Sequence, residues 1–91
     1  MNIKDPSVLD NIKKMPPLEA LNELDEYIAL FPEDDEALTM RGLVHWNLNH
    51  RKEAINDFLT AIRINPESRG KMALEYVNSI LDYYNKDLLN P

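Results

Sequence analysis

The sequence predicts an all-α fold of antiparallel helical hairpins, with about five helices in a single domain over residues 1–91. Three observations favour this class. Apolar residues recur at spacings of three and four between prolines, which is the period of an amphipathic helix. Alternation with a period of two, which would indicate strands, is absent. Apolar and small residues also repeat at a constant offset of 34 positions, the length typical of a repeated helix–turn–helix unit.

Prolines divide the chain into helical segments, because proline fits the first turn of a helix and blocks the end of a preceding one. Asp5 stands where the first helix needs an N-cap, and Ser7 and Ser68 also lie near helix starts, where capping is their expected role. The predicted helices cover residues 6–14, 17–30, 35–48, 51–64 and 69–84, and a tail follows over residues 85–91. For the tail two alternatives stay open: it frays, or its leucines dock on the domain.

The 34-residue offset relates the helices of successive hairpins. A single hairpin cannot bury its apolar face alone, so a repeated hairpin implies neighbours that stack on one another. The matched positions are all apolar, small or proline, and include Ala20 and Ala54, Leu24 and Phe58, Ile28 and Ile62, Pro32 and Pro66, Leu9, Leu43 and Val77, and Ile12, Trp46 and Ile80.

Residues 35–66 resemble one full tetratricopeptide repeat (TPR), because small residues, an aromatic and a proline stand at the family's signature spacings: Gly42, Ala54, Phe58, Ala61 and Pro66. Residues 6–32 resemble a degenerate repeat with a shortened first helix. Residues 69–84 are similar to the extra helix that closes such arrays. The resemblance implies a right-handed superhelix of hairpins in which the small residues let two helix backbones approach closely.

Three positions depart from the family pattern. Leu38, Arg41 and His45 stand where the family usually has tryptophan, leucine and tyrosine, and the aromatic residue follows one place later, at Trp46. An arginine at a normally apolar position needs an ionic partner if it is buried. We expect the head of Arg41 to reach an acid of the second helix, Glu23 or Glu26.

Charge and composition exclude several classes of function. The net charge is −6, and the stretch from Glu19 to Glu36 contains eight acidic and no basic residues. A nucleic-acid binder needs a basic surface, so no nucleic-acid partner is expected; the acidic stretch is a solvated surface or steers a basic partner. The chain has no cysteine. It shows no signal peptide and no apolar run long enough for a membrane span, which predicts a cytoplasmic protein without a membrane partner.

No residue pattern indicates catalysis or a cofactor. His45 and His50 are the only histidines, and their spacing of five does not place them on one helical face. We therefore expect no metal site, since such sites usually need three or four ligands. The serines have no base at a suitable spacing, and a carboxylate pair such as Asp34 and Asp35 would need a deep cleft. The sequence predicts a protein that is not an enzyme.

The resemblance implies that the first helix of each hairpin lines a concave groove for peptides. Carried over by position, the groove residues are Met40, Leu43, Trp46, Asn47, Leu74, Val77, Ile80 and Leu81. The basic clamp with which related domains hold acidic tails is missing. We expect a protein–protein interaction module or adaptor that binds a peptide or helix in an apolar groove. Two alternatives remain: these residues are simply core, or the chain self-associates as a homodimer with the groove filled by its own tail or a second copy.

Overall fold

The protein consists of five α-helices in the computed structural model, which describes the backbone of residues 6–89 and the side chains of residues 7–80. The helices are α1 (Pro6–Ile12), α2 (Pro17–Leu30), α3 (Asp35–Asn47), α4 (Arg51–Ile64) and α5 (Arg69–Leu89). The described backbone contains no strand. The prediction of an all-α fold with five helices is therefore confirmed. None of the described helices is both long enough and apolar enough to cross a membrane.

The helix bounds differ from the prediction mainly at two places. α1 ends at Ile12 because Met15 precedes Pro16, and a residue before proline is disfavoured in the helical conformation. α5 continues through the predicted tail to Leu89, since no proline or glycine interrupts the chain between Gly70 and that residue. The side chains of the tail, and the predicted cap at Asp5, lie outside the described residues.

Two helices begin at side-chain caps. The Asp34 carboxylate accepts hydrogen bonds from the backbone N–H groups of Glu36 (3.0 Å) and Ala37 (3.2 Å) at the start of α3. The same carboxylate accepts the Tyr27 hydroxyl at 2.8 Å, which ties α2 to α3. The Ser68 hydroxyl accepts the Gly70 N–H at 3.0 Å, which confirms its predicted role as the cap of α5. The side chains of Asp34 and Ser68 thus cap α3 and α5.

α3 is the central helix and contacts α2, α4 and α5. Its approach to α4 depends on Gly42: a Cβ there would lie only 2.7 Å from Cδ1 of Phe58 and 3.1 Å from the Ala54 carbonyl oxygen. Ala54 and Phe58 are fully buried. The small residues that define the repeat therefore let the two helix backbones pack at close range, as the resemblance implied.

The apolar core has two parts. The first lies among α1, α2 and α3 and is built around Leu9, Ile12, Leu24 and Leu38. The second lies between α4 and α5 and consists of Ala54, Phe58 and Val77, with further half-buried residues packed against it. Leu24 and Phe58, which the 34-residue offset relates, are both fully buried, one at the centre of each part.

Candidate functional site

Two adjoining hollows lie along α3. The larger, of about 470 Å³, lies between α3 and α5, and the smaller, of about 340 Å³, lies among α1, α2 and α3; both are lined by Lys13, Met40 and Leu43. We call the apolar wall of the larger hollow the apolar groove: it consists of Met40, Leu43, Met72, Ala73 and Tyr76. The remaining residues that line the larger hollow are polar, and they are Lys13, Glu36, Thr39 and Arg69.

The apolar groove is open to solvent. Met72 is 73% exposed, Tyr76 61% and Leu43 41%. All three are large apolar or aromatic side chains, and they meet at one place on the surface. A contiguous exposed apolar surface of this kind typically marks a place where another molecule docks.

The structure places the predicted groove residues in three different environments. Met40, Leu43 and Asn47 line the hollows. The other predicted residues with described side chains do not line the hollows. Trp46 and Leu74 pack against the second core, Val77 is fully buried within it, and Ile80 is half-buried. The side chain of Leu81 lies outside the described residues. Val77 thus belongs to the second core, whereas Met72, Ala73 and Tyr76 are the apolar residues of α5 that line the larger hollow.

The offset of 34 assigned the wrong face because equivalent positions have different neighbours. Leu38 on α3 is only 3% exposed, whereas its equivalent Met72 on α5 is 73% exposed. Leu38 belongs to the first core, whereas Met72 stands on the exposed face of α5. The signal that sequence reasoning missed was a second stripe on α5, in which Arg69, Met72 and Tyr76 follow helical spacing.

Arg41, on α3, is paired with two acids, Asp57 on α4 and Asp25 on α2. Its Nε and Nη2 each donate to the Asp57 carboxylate at 2.9 Å, and Nη1 donates to Asp25 at 3.1 Å. The prediction of Glu23 or Glu26 as the partner is therefore wrong. The bidentate hydrogen bond to Asp57 is the main cause that raises the pKa of Arg41. Asp57 is 3% exposed, so this pair explains how a charge is accommodated at a normally apolar position.

The two histidines meet across the turn between α3 and α4, since His50 lies outside both helices. Nδ1 of His45 lies 3.1 Å from Nδ1 of His50. The contact arises because α3 ends at Asn47, with Leu48 as its C-cap, and the chain turns back through Asn49, which has a φ of 69°. A left-handed residue after a C-cap brings the next side chain back over the last turn of the helix.

The family model described as the tetratricopeptide repeat matches residues 35–68. This range contains α3, α4 and the turn that leads into α5, and it agrees closely with the repeat predicted at residues 35–66. No curated protein and no solved structure gave a match. Tetratricopeptide repeats generally mediate protein–protein interaction. The match, together with the close packing at Gly42, leads to one conclusion: residues 35–68 form a tetratricopeptide repeat.

Proposed function

We propose that the chain is a non-catalytic interaction module that binds a peptide or helix of a partner protein in the apolar groove. The observation that carries the proposal is the exposure of Leu43, Met72 and Tyr76 around a single hollow of about 470 Å³. That volume lies within the roughly 300–1,000 Å³ of pockets that bind ligands. Apolar side chains of a partner would displace water from these three residues, and the burial would drive binding.

The walls of the apolar groove suit such a partner. Both walls are helices, so the distances between Leu43 on α3 and Met72 and Tyr76 on α5 are set by the packing of α5 on the hairpin of α3 and α4. Met40 and Met72 supply flexible, polarisable side chains that adapt to the shape of an apolar ligand. An amphipathic helix with apolar residues at successive turns is a common ligand of grooves between helices.

Charges in the larger hollow favour a particular kind of segment. Lys13 and Arg69 line it together with one acid, Glu36, whereas the whole chain carries a net charge of −6. Two cations thus stand beside one acid in the hollow, and one of them, Lys13, also pairs with Asp10 at 3.7 Å. A partner segment with apolar anchors and an acidic residue would be attracted to it, and such attraction mainly sets specificity and the rate of association.

The proposal is tested by affinity capture of partners from native lysate, with mass spectrometry as the readout. Leu43→Glu places a charge in the apolar groove. Leu59→Glu is the matched control, because Leu59 is 52% exposed on α4 and lines neither hollow. We expect wild type and Leu59→Glu to retain the same proteins and Leu43→Glu to lose them, with unchanged helix content by circular dichroism. Retention of the same partner proteins by wild type, Leu43→Glu and Leu59→Glu alike would refute the proposal.

A homodimer is the second candidate, and the unpartnered face of α5 at Met72 and Tyr76 favours it. A second copy could cover this face as a following helix would in a longer array. Light scattering on purified protein separates the candidates. A dimer that Met72→Glu dissociates supports self-association through the groove, whereas a monomer at all concentrations leaves the groove to a different protein.

A further inference from the structure

The turn between α3 and α4 holds its two histidines in a fixed relation. The N–H of His50 donates to the carbonyl oxygen of His45 at 2.7 Å, and the N–H of Asn49 donates to that of Trp46 at 3.0 Å. With Leu48 as the C-cap, these two hydrogen bonds form a Schellman motif, which closes a helix and sets the third-last helical residue beside the second residue after the cap. Those two residues are the histidines, so the backbone itself brings their rings together.

The distance between the two Nδ1 atoms, 3.1 Å, suits chelation of a metal ion. Imidazole nitrogens bind Zn²⁺ at about 2.0–2.1 Å, so two nitrogens 3.1 Å apart subtend an angle of about 100° at the metal. That angle lies between the octahedral and tetrahedral values. Rotation of the two side chains would let both lone pairs converge on one ion.

A carboxylate stands behind one of the rings. Nε2 of His45 lies 3.9 Å from Oδ2 of Asp57. The Nε2 edge of the His45 ring thus faces a carboxylate, and its Nδ1 is the nitrogen turned toward His50. At 3.9 Å the two atoms are beyond hydrogen-bond distance, so the carboxylate acts on the ring through its charge. Arg41 remains bonded to the same carboxylate, so Asp57 orients the ring and does not bind the ion.

We propose that His45 and His50 form a two-histidine site for a divalent transition metal ion such as Zn²⁺ at the turn between α3 and α4. Within the described part of the chain, no group of three or more potential ligands is placed to hold a metal, so water fills the remaining coordination positions. His50 is exposed, which gives the ion access from solvent. The site is therefore an open and exchangeable one, and a partner side chain could complete it.

The test is calorimetric titration of the metal-free protein with Zn²⁺, comparing wild type with His50→Ala and Glu53→Ala. His50 is exposed and the turn is closed by backbone hydrogen bonds, so His50→Ala should fold. Glu53 is an exposed acid in the first turn of α4, and its removal controls for binding by surface carboxylates. We expect one site in wild type and Glu53→Ala, and affinity lower by about tenfold or more in His50→Ala, or about 1.4 kcal/mol.

A spectroscopic readout separates ligation by the rings from binding elsewhere. In ¹H–¹⁵N spectra of the imidazoles, Zn²⁺ should shift the Nδ1 resonances of both histidines together in wild type. Equal Zn²⁺ affinity in wild type and His50→Ala, or unchanged Nδ1 resonances at saturating Zn²⁺, would overturn the proposal and leave the two rings as a hydrogen-bonded pair. A loss in Glu53→Ala equal to that in His50→Ala would also overturn it, in favour of an acidic surface site.

Discussion

Replacement of Gly42 by alanine sets two opposing effects against each other. Alanine is favoured over glycine in a helix interior by about 1 kcal/mol. The added Cβ, however, would lie 2.7 Å from Cδ1 of Phe58, whereas carbon atoms normally stay about 3.5–4.0 Å apart. Phe58 is fully buried, so its ring has no free space to enter. Overpacking in a core costs about 1–3 kcal/mol, and an overlap of this size belongs at the upper end. We expect Gly42→Ala to lower the free energy of unfolding by about 1–2 kcal/mol.

Urea unfolding followed by circular dichroism measures this loss, and the thermal midpoint should fall by about 4–8 °C for each kcal/mol. The matched background is Phe58→Leu, which removes the ring edge that the new methyl group would meet. In that background Gly42→Ala should be neutral or stabilising, so the two changes should be strongly non-additive. The reasoning is refuted if Gly42→Ala raises the stability of the wild-type chain, because helix propensity would then exceed any steric cost.

Two further predictions concern buried polar pairs. Asp57→Ala removes the bidentate partner of Arg41, whose side chain is only 23% exposed. It should lower the free energy of unfolding in urea by about 2–3 kcal/mol, which is less than the full cost of breaking a buried pair because Asp25 still accepts one hydrogen bond from Arg41. In the double variant with Arg41→Leu the loss should be smaller than the sum of the two single losses, and simple additivity would contradict the pairing. Tyr27→Phe removes the hydrogen bond to Asp34 and should cost about 1–2 kcal/mol at neutral pH. Burial, and then that hydrogen bond, raise the pKa of Tyr27 above its ordinary value of 10.0. The stability that the protonated hydroxyl contributes is complete below pH 10 and is lost as the pH rises through the higher folded-state pKa. The free-energy difference between wild type and Tyr27→Phe should therefore shrink above pH 10, and a difference that does not change with pH would contradict this account.

The helices could be predicted from the sequence because their signals are local. α2 and α4 have the predicted bounds, since an apolar stripe and a following proline define each of them. The small residues at Gly42 and Ala54 also indicated where two backbones approach, because steric room depends on the residue itself. These signals do not depend on what else packs against the helix.

The surfaces could not be predicted in the same way. The exposure of Met72 depends on which face of α5 packs on α3 and α4, and the periodic pattern does not contain that relation. The partner of Arg41 depends on which of several nearby acids the packing brings within reach. The meeting of His45 and His50 depends on the left-handed conformation of Asn49. In each case the decisive quantity is a relation between elements, which a periodic pattern within one element does not carry.

The repeat itself explains why a hollow lies beside α3. In the second core, Trp46 and Phe58 pack around the residue of α5 that the offset of 34 relates to Leu43. One hairpin earlier, Ile12 and Leu24 stand at the corresponding positions and line the smaller hollow together with Leu43. Two smaller aliphatic side chains thus replace two aromatic ones at the same places in the packing. The volume that the aromatic rings fill beneath α5 is left open beside α3, so Leu43 remains exposed where its counterpart is buried. The smaller hollow, which adjoins the apolar groove at Leu43, is therefore encoded by side-chain size at equivalent positions of the repeat.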